Sequence, residues 1–252
     1  MKEKLENIYQ FLNENRSYNQ KIQEKYFSSW VCPHQDTADK IISMLYNVSS
    51  SQSRPNIDQL SDFFRYIYAN KKSLDSFQSF TNYLGGTSGA EANYKMLFNN
   101  LKSHKGWGVK TSALFVKNIY HMHSENYPEK LKIWNDVPQK FAENDTLFLP
   151  VDSVIEKIFE KIVETPQLGR AKKWSFSNIN LTLKKYYESE QIAIWDDLWF
   201  WGFITQRSLS GGERDLEWNE NKYWMLEESN KESEEISKIK EKSEEFLAIL
   251  RI

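Results

Sequence analysis

The chain has 252 residues, with 33 Lys or Arg against 35 Asp or Glu and a formal charge of −2 at pH 7. That length can bury a sizeable core, in one two-lobed domain or two small ones, and the near-neutral charge argues against massive nonspecific adhesion to nucleic acid. The one cysteine, Cys32, excludes an intrachain disulfide and an iron–sulfur cluster held by four cysteines.

Only nine glycines and six prolines, with long stretches of apolar residues at helical period, favour an all-α fold. The polar start has no signal-peptide pattern, and no apolar run approaches membrane-spanning length, so a cytoplasmic protein without a membrane partner is expected. Charge is uneven. Residues 211–252 hold twelve acids and seven bases, which leaves 23 acids and 26 bases in the first 210 and makes the body mildly basic.

Leu5, Ile8, Tyr9, Phe11 and Leu12 predict an amphipathic helix followed by a looser segment to about residue 28. Asp36 stands where it can cap a helix carrying Ile41, Ile42, Met44, Leu45 and Val48. Cys32 and His34 have no second ligand pair at zinc spacing. Ser49 to Pro55 reads as a polar loop containing Gln52, and helices follow over 58–69 and 73–84, the second ended by Gly85 and Gly86.

Ser88 and Glu91 have the spacing of a capping box before Tyr94, Leu97, Phe98 and Leu101. Then comes Gly106-Trp107-Gly108-Val109-Lys110, and an apolar pattern resumes from Ala113 to Ile119. The unit reads as helix, hairpin, helix. Its backbone N–H groups at Gly106, Gly108 and Val109 would lie at a helix N-terminus, where free donors and partial positive charge suit a phosphate such as that of a DNA backbone. His121 and His123, two apart on a helix, point to different faces, so no shared metal is expected.

Pro128 can start a short helix with Leu131, Ile133 and Trp134. Asp152, in Leu149-Pro150-Val151-Asp152, opens a helix carrying Val154, Ile155, Ile158, Phe159 and Ile162; it reads either as a plain cap or as a functional carboxylate. Another helix is expected over 177–188. In Trp195-Asp196-Asp197-Leu198-Trp199-Phe200-Trp201, Asp197 and Trp201 share a helical face. They read either as a base-binding pair or as a core cluster with a paired aspartate. Ser208 to Glu220, with Gly211 and Gly212, is a loop, and 227–249 a charged helix with one narrow apolar stripe.

The two motifs Gly106-Trp107-Gly108-Val109-Lys110 and Leu149-Pro150-Val151-Asp152, in that order, resemble those of the helix-hairpin-helix DNA glycosylases, which include endonuclease III and the 8-oxoguanine glycosylases. The resemblance spans roughly residues 36–205 and is strong only at the motifs; 124–151 looks like an insertion. It implies a two-lobed helical fold with the active site in the cleft between lobes. The lobes would be 36–123, ending in the hairpin unit, and 1–35 with 152–252, joined by 124–151.

The implied activity is excision of a damaged base from double-stranded DNA, 8-oxoguanine first, with abasic-site lyase activity, by a monomer associated with the nucleoid. Lys110 would be the nucleophile and Asp152 its carboxylate partner, with no metal and no organic cofactor required. Gln52 would approach the gap left by the extruded base. Asp197 and Trp201 resemble an Asp-x-x-x-Trp pair that contacts the base in the archaeal branch. A noncatalytic DNA-binding module, a glycosylase for another modified base and a partner-binding helical protein are the alternatives.

Overall fold

Leu5, Ile8, Phe11 and Leu12 recur three and four residues apart, and the first helix, α1 (Lys2–Glu14), buries all four on one stripe. Asn15 ends it, returning both its backbone N–H and its side-chain amide to the Phe11 carbonyl, at 3.1 and 2.8 Å. The segment expected to loosen beyond this point is instead a second helix, α2 (Arg16–Val31). Its apolar residues are too sparse to show as a stripe in sequence.

The computed structural model describes residues 1–124, 127–162, 174–209 and 214–251; Gly211 and Gly212 lie outside these. Helices α3 (Thr37–Ser50), α4 (Ile57–Ala69), α5 (Phe77–Gly85), α6 (Tyr94–Ser103) and α7 (Val109–His123) come next. They are followed by α8 (Ser153–Ile162), α9 (Phe176–Lys184), α10 (Ser189–Trp195), α11 (Asp197–Ile204), α12 (Glu220–Leu226) and α13 (Ser233–Arg251). Among the described residues the only strands are β1 (Gln206–Ser208) and β2 (Arg214–Leu216), an antiparallel pair with Arg207 opposite Asp215. The fold is therefore all-α but for this hairpin, and no described helix is long and apolar enough to cross a membrane.

Two compact units divide the chain. The first comprises Met1–Ile22, Val151–Tyr187 and Ile194–Ile252, the second Gln23–Pro150 and Glu188–Ala193. In the first unit α1 packs on α13, and α8 packs on both α11 and α13. Gly202 makes the α8–α11 approach close: a methyl group there would overlap Ile158 Cδ1 and stand 2.8 Å from Val154 Cγ1. The core is built from Leu5, Ile8, Ile158, Phe159, Trp201 and Phe246, all essentially fully buried.

In the second unit α7 packs on α3 and α6, and α6 on α5. Helix α6 begins later than the Ser88–Glu91 pair suggests, because Asn93 caps it by accepting from Met96 N at 2.8 Å. Of the stretch 124–151, expected as an insertion, the described residues up to Pro150 belong to this unit and strap it. Asp136 accepts from the backbone N–H of Phe77 and Gln78, both at 2.9 Å, at the start of α5. Asp145 accepts from Tyr94 N at 3.2 Å and Lys95 N at 2.7 Å at the start of α6. Trp134 donates its indole N–H to the Leu74 carbonyl at 2.8 Å, and the segment after Pro128 forms only a single 310 turn, Glu129–Leu131. Two helix starts need acceptors for their first N–H groups, and the strap supplies them.

Candidate functional site

Between α6 and α7 the chain turns within five residues. Trp107 N donates to His104 O at 3.1 Å, and Gly106 adopts φ +88°, a conformation that glycine enters at little cost. Gly106 also lies against α4, where an added Cβ would stand 3.0 Å from Leu60 Cδ2 and 3.2 Å from Leu60 N. Trp107 is buried beneath the turn against Phe63 and Phe115, with ring centroids at 5.2 and 6.0 Å. Gln52 braces the turn from the end of α3, donating its Nε2 to Gly106 O at 3.2 Å. That is where the structure places Gln52: under the hairpin.

Gly108 is the residue before α7, and with no side chain it offers the helix no cap. The first-turn N–H groups of α7 therefore stand at its N-terminus without a capping side chain, beside Val109, which is 40 % exposed. Lys110, the second residue of the helix, is half-buried. A recess of about 470 Å³ adjoins the turn, lined by Gln52, Asn56, Gln59 and the three cations Arg54, Lys102 and Lys105, with no carboxylate in its wall. An anion fits such a wall better than a cation does. Gly106, Gly108, Val109, Lys110 and Gln52 thus fall in one region of the second unit.

Further along α7, His123 is buried and its Nε2 accepts from Ile133 N at 3.2 Å. Burial, assisted by the Lys132 charge, pushes its imidazole down to about 4. It serves the strap. No group of three His, Cys, Asp or Glu among the described residues has the arrangement to hold a metal ion.

In the first unit Asp152 caps α8, its Oδ1 accepting from Val154 N at 2.9 Å and Ile155 N at 3.2 Å. Its other oxygen, Oδ2, accepts from the Trp199 indole N–H at 3.0 Å. Helix α11 thereby meets Asp152 through Trp199, a residue the sequence reading did not single out. Trp199 stacks on Phe203 one turn later, centroids 4.9 Å apart and planes 16° from parallel.

Asp197 and Trp201 do share one face of α11, and that face is the buried one. Asp197 is 1 % exposed; its Oδ1 accepts from Asn19 Nδ2 at 2.6 Å and its Oδ2 lies 3.5 Å from Arg16 Nε. Trp201 is 0 % exposed, packed against Phe11, Tyr18, Phe200 and Phe246. The pair expected to read a base is thus part of the core in this structure, and the half-exposed rings of α11 are Trp199 and Phe203. The i, i+4 spacing of Trp199 and Phe203 was the available signal. The neighbouring Asp197–Trp201 pair has the same spacing and obscured it.

Comparison with known protein families, with curated proteins and with solved structures finds no match to this chain.

Proposed function

We propose that this protein is a DNA glycosylase with abasic-site lyase activity. The observation that carries the reading is the turn between α6 and α7: a glycine at φ +88°, an uncapped helix start, a carboxylate-free basic recess, and Lys110 on the first helical turn. Phosphates of a DNA backbone suit the recess and the helix start. The target nucleotide leaves the stack, because its C1′ is not reachable inside a duplex.

Lys110 acts as the nucleophile. Its neutral amine attacks C1′, the bond from C1′ to the base nitrogen breaks, and the base departs with a proton. The proton that leaves with the base is replaced from the lysine nitrogen, the sugar ring opens as O4′ takes up a proton from solvent, and a protonated Schiff base joins Nζ to C1′. Removal of a C2′ proton then expels the 3′ phosphate by β-elimination. Asp152, fixed by three N–H donors, orients the attack and stabilises positive charge developing on the sugar. The preferred lesion is 8-oxoguanine, by the resemblance of the two motifs, and the protein acts near the nucleoid.

Borohydride reduction tests this on duplexes containing 8-oxoguanine, oxidised pyrimidines, uracil or an abasic site. The expected result is a covalent protein–DNA adduct that Lys110→Gln abolishes, with the best-trapped duplex naming the lesion. Duplex binding without any adduct, and without release of free base, would leave a noncatalytic DNA-binding module. The basic recess alone would serve that second reading.

A further inference from the structure

Six residues of the first unit lie in a ring of contacts that is open between Lys222 and Arg214. Asp152 accepts from Trp199 at 3.0 Å, Trp199 stacks on Phe203, and Lys222 Nζ lies 4.8 Å above the centre of the Phe203 ring. Across the opening the Arg214 charge disfavours the Lys222 ammonium. Arg214 donates to Ser153 Oγ at 2.8 Å, and Ser153 follows Asp152 in the chain. The ring joins α8, α11, β2 and α12 on a partly exposed surface.

Its chemistry is uneven in an informative way. Neither Lys222 nor Arg214 has a carboxylate partner among the described residues: Arg214 is held by the neutral Ser153 and Gln206, and Lys222 by the face of Phe203. Burial first, and the Arg214 charge second, push the Lys222 ammonium down. A partly buried ammonium with a second cation in its field is relieved when an anion arrives. The one carboxylate of the ring, Asp152, has both oxygens occupied by N–H donors. Beside the cations Phe203 is covered by Trp199 on one side and by Lys222 over its ring, so the partly exposed Trp199, backed by Phe203, is the ring to which a further flat ring can add.

We propose that Trp199, Phe203, Arg214 and Lys222 form a nucleotide-binding platform for one DNA strand, Trp199 backed by Phe203 taking a base and the two cations its phosphate. This rests on the glycosylase reading and extends it: the strand that enters for excision is held beside Asp152 by stacking and by phosphate contacts separate from the hairpin recess. Stacking on an aromatic side chain tolerates any base, so the platform adds affinity without sequence preference.

The test is equilibrium binding, by fluorescence anisotropy, of a labelled duplex carrying a tetrahydrofuran abasic-site analogue, over a range of salt. Wild type, Lys222→Gln, Arg214→Gln, Trp199→Leu and Trp199→Phe are compared, each checked for folding by circular dichroism. Lys222→Gln and Arg214→Gln each weaken binding and each flatten the slope of log affinity against log salt by about 0.9, one phosphate contact apiece. Trp199→Leu weakens binding by about tenfold or more without changing the slope, and Trp199→Phe, which keeps a ring, retains most of it. Wild-type binding with all four variants indistinguishable from it would overturn the platform and leave the glycosylase reading standing. A wild-type protein that binds no duplex even at low salt would overturn both.

Discussion

Gly106 lies so close to Leu60 that a methyl group on its α-carbon would stand 3.0 Å from Leu60 Cδ2 and 3.2 Å from Leu60 N. Its partner in the motif, Gly108, has φ −87° and nothing within 4 Å of the equivalent position. The two glycines therefore separate stability from binding. Gly106→Ala should cost about 2 kcal/mol or more in urea unfolding, from the left-handed backbone and the Leu60 clash together. Gly108→Ala should cost at most about 1 kcal/mol. It should nonetheless weaken duplex binding, because its methyl group stands at the helix start where a phosphate would approach. Unchanged binding in a folded Gly108→Ala protein would remove the hairpin from the DNA contact.

Asp152 has a structural task and a proposed chemical one, and substitutions distinguish them. Asp152→Asn keeps an oxygen for the α8 cap but turns its amide nitrogen to the Trp199 indole N–H, so it should cost about 1 kcal/mol. Asp152→Ala loses the cap and strands the Trp199 indole N–H, at about 2 kcal/mol. Base release in a single-turnover assay should fall about 100-fold or more in both. Full activity in the folded Asn variant would make Asp152 a cap alone.

Asp136 and Asp145 do the same job at two helix starts with different exposure. Each takes two backbone N–H groups of a helix start, at α5 and at α6, Asp145 taking that of Thr146 as well, but Asp145 is buried and Asp136 exposed. Asp145→Ala should cost about 2–3 kcal/mol and Asp136→Ala about 1 kcal/mol, since a stranded buried donor loses more than one that water can reach. Denaturant unfolding of the two variants checks the order. Equal small losses would show that the strap is held by its apolar residues.

His123 confers a pH dependence with a definite sign. Its pKa of about 4 in the folded protein lies below the ordinary value of about 6.5, so between those limits the unfolded chain binds a proton that the folded one refuses. The contribution is complete above about pH 6.5 and falls away by as much as about 3 kcal/mol as pH approaches 4. In His123→Gln, whose side-chain oxygen can still accept from Ile133 N, that loss should be absent. Comparing unfolding free energies of the two proteins at pH 7.5 and 4.5 reads His123's share directly.

The helices and the hairpin were legible because their signals are local. Apolar spacing located α3 to α7, and Gly106 and Gly108 announced the turn between α6 and α7. Asp152 was legible as a cap for the same reason. The helix-start donors that Asp136 and Asp145 satisfy lie 58–59 and 50–51 residues away in sequence, so no local pattern could reveal them. The outward face of α11 was hidden by composition. Asp197-Leu198-Trp199-Phe200-Trp201-Gly202-Phe203-Ile204 is apolar nearly all round, and a helix without a polar side carries no periodic clue to which residues face water. Packing against α1, α8 and α13 decides it, and turns Trp201 inward and Trp199 toward Asp152.

The first unit is assembled from three separated stretches of chain, with α1 resting on α13. A ribosome adds about 5–20 residues per second, so α1 emerges long before the helix that covers it. The second unit, nearly continuous from Gln23 to Pro150, has its packing partners in hand much earlier. On the nascent chain the apolar stripe of Leu5, Ile8, Phe11 and Leu12 must wait for α13, which makes it the natural foothold for a chaperone.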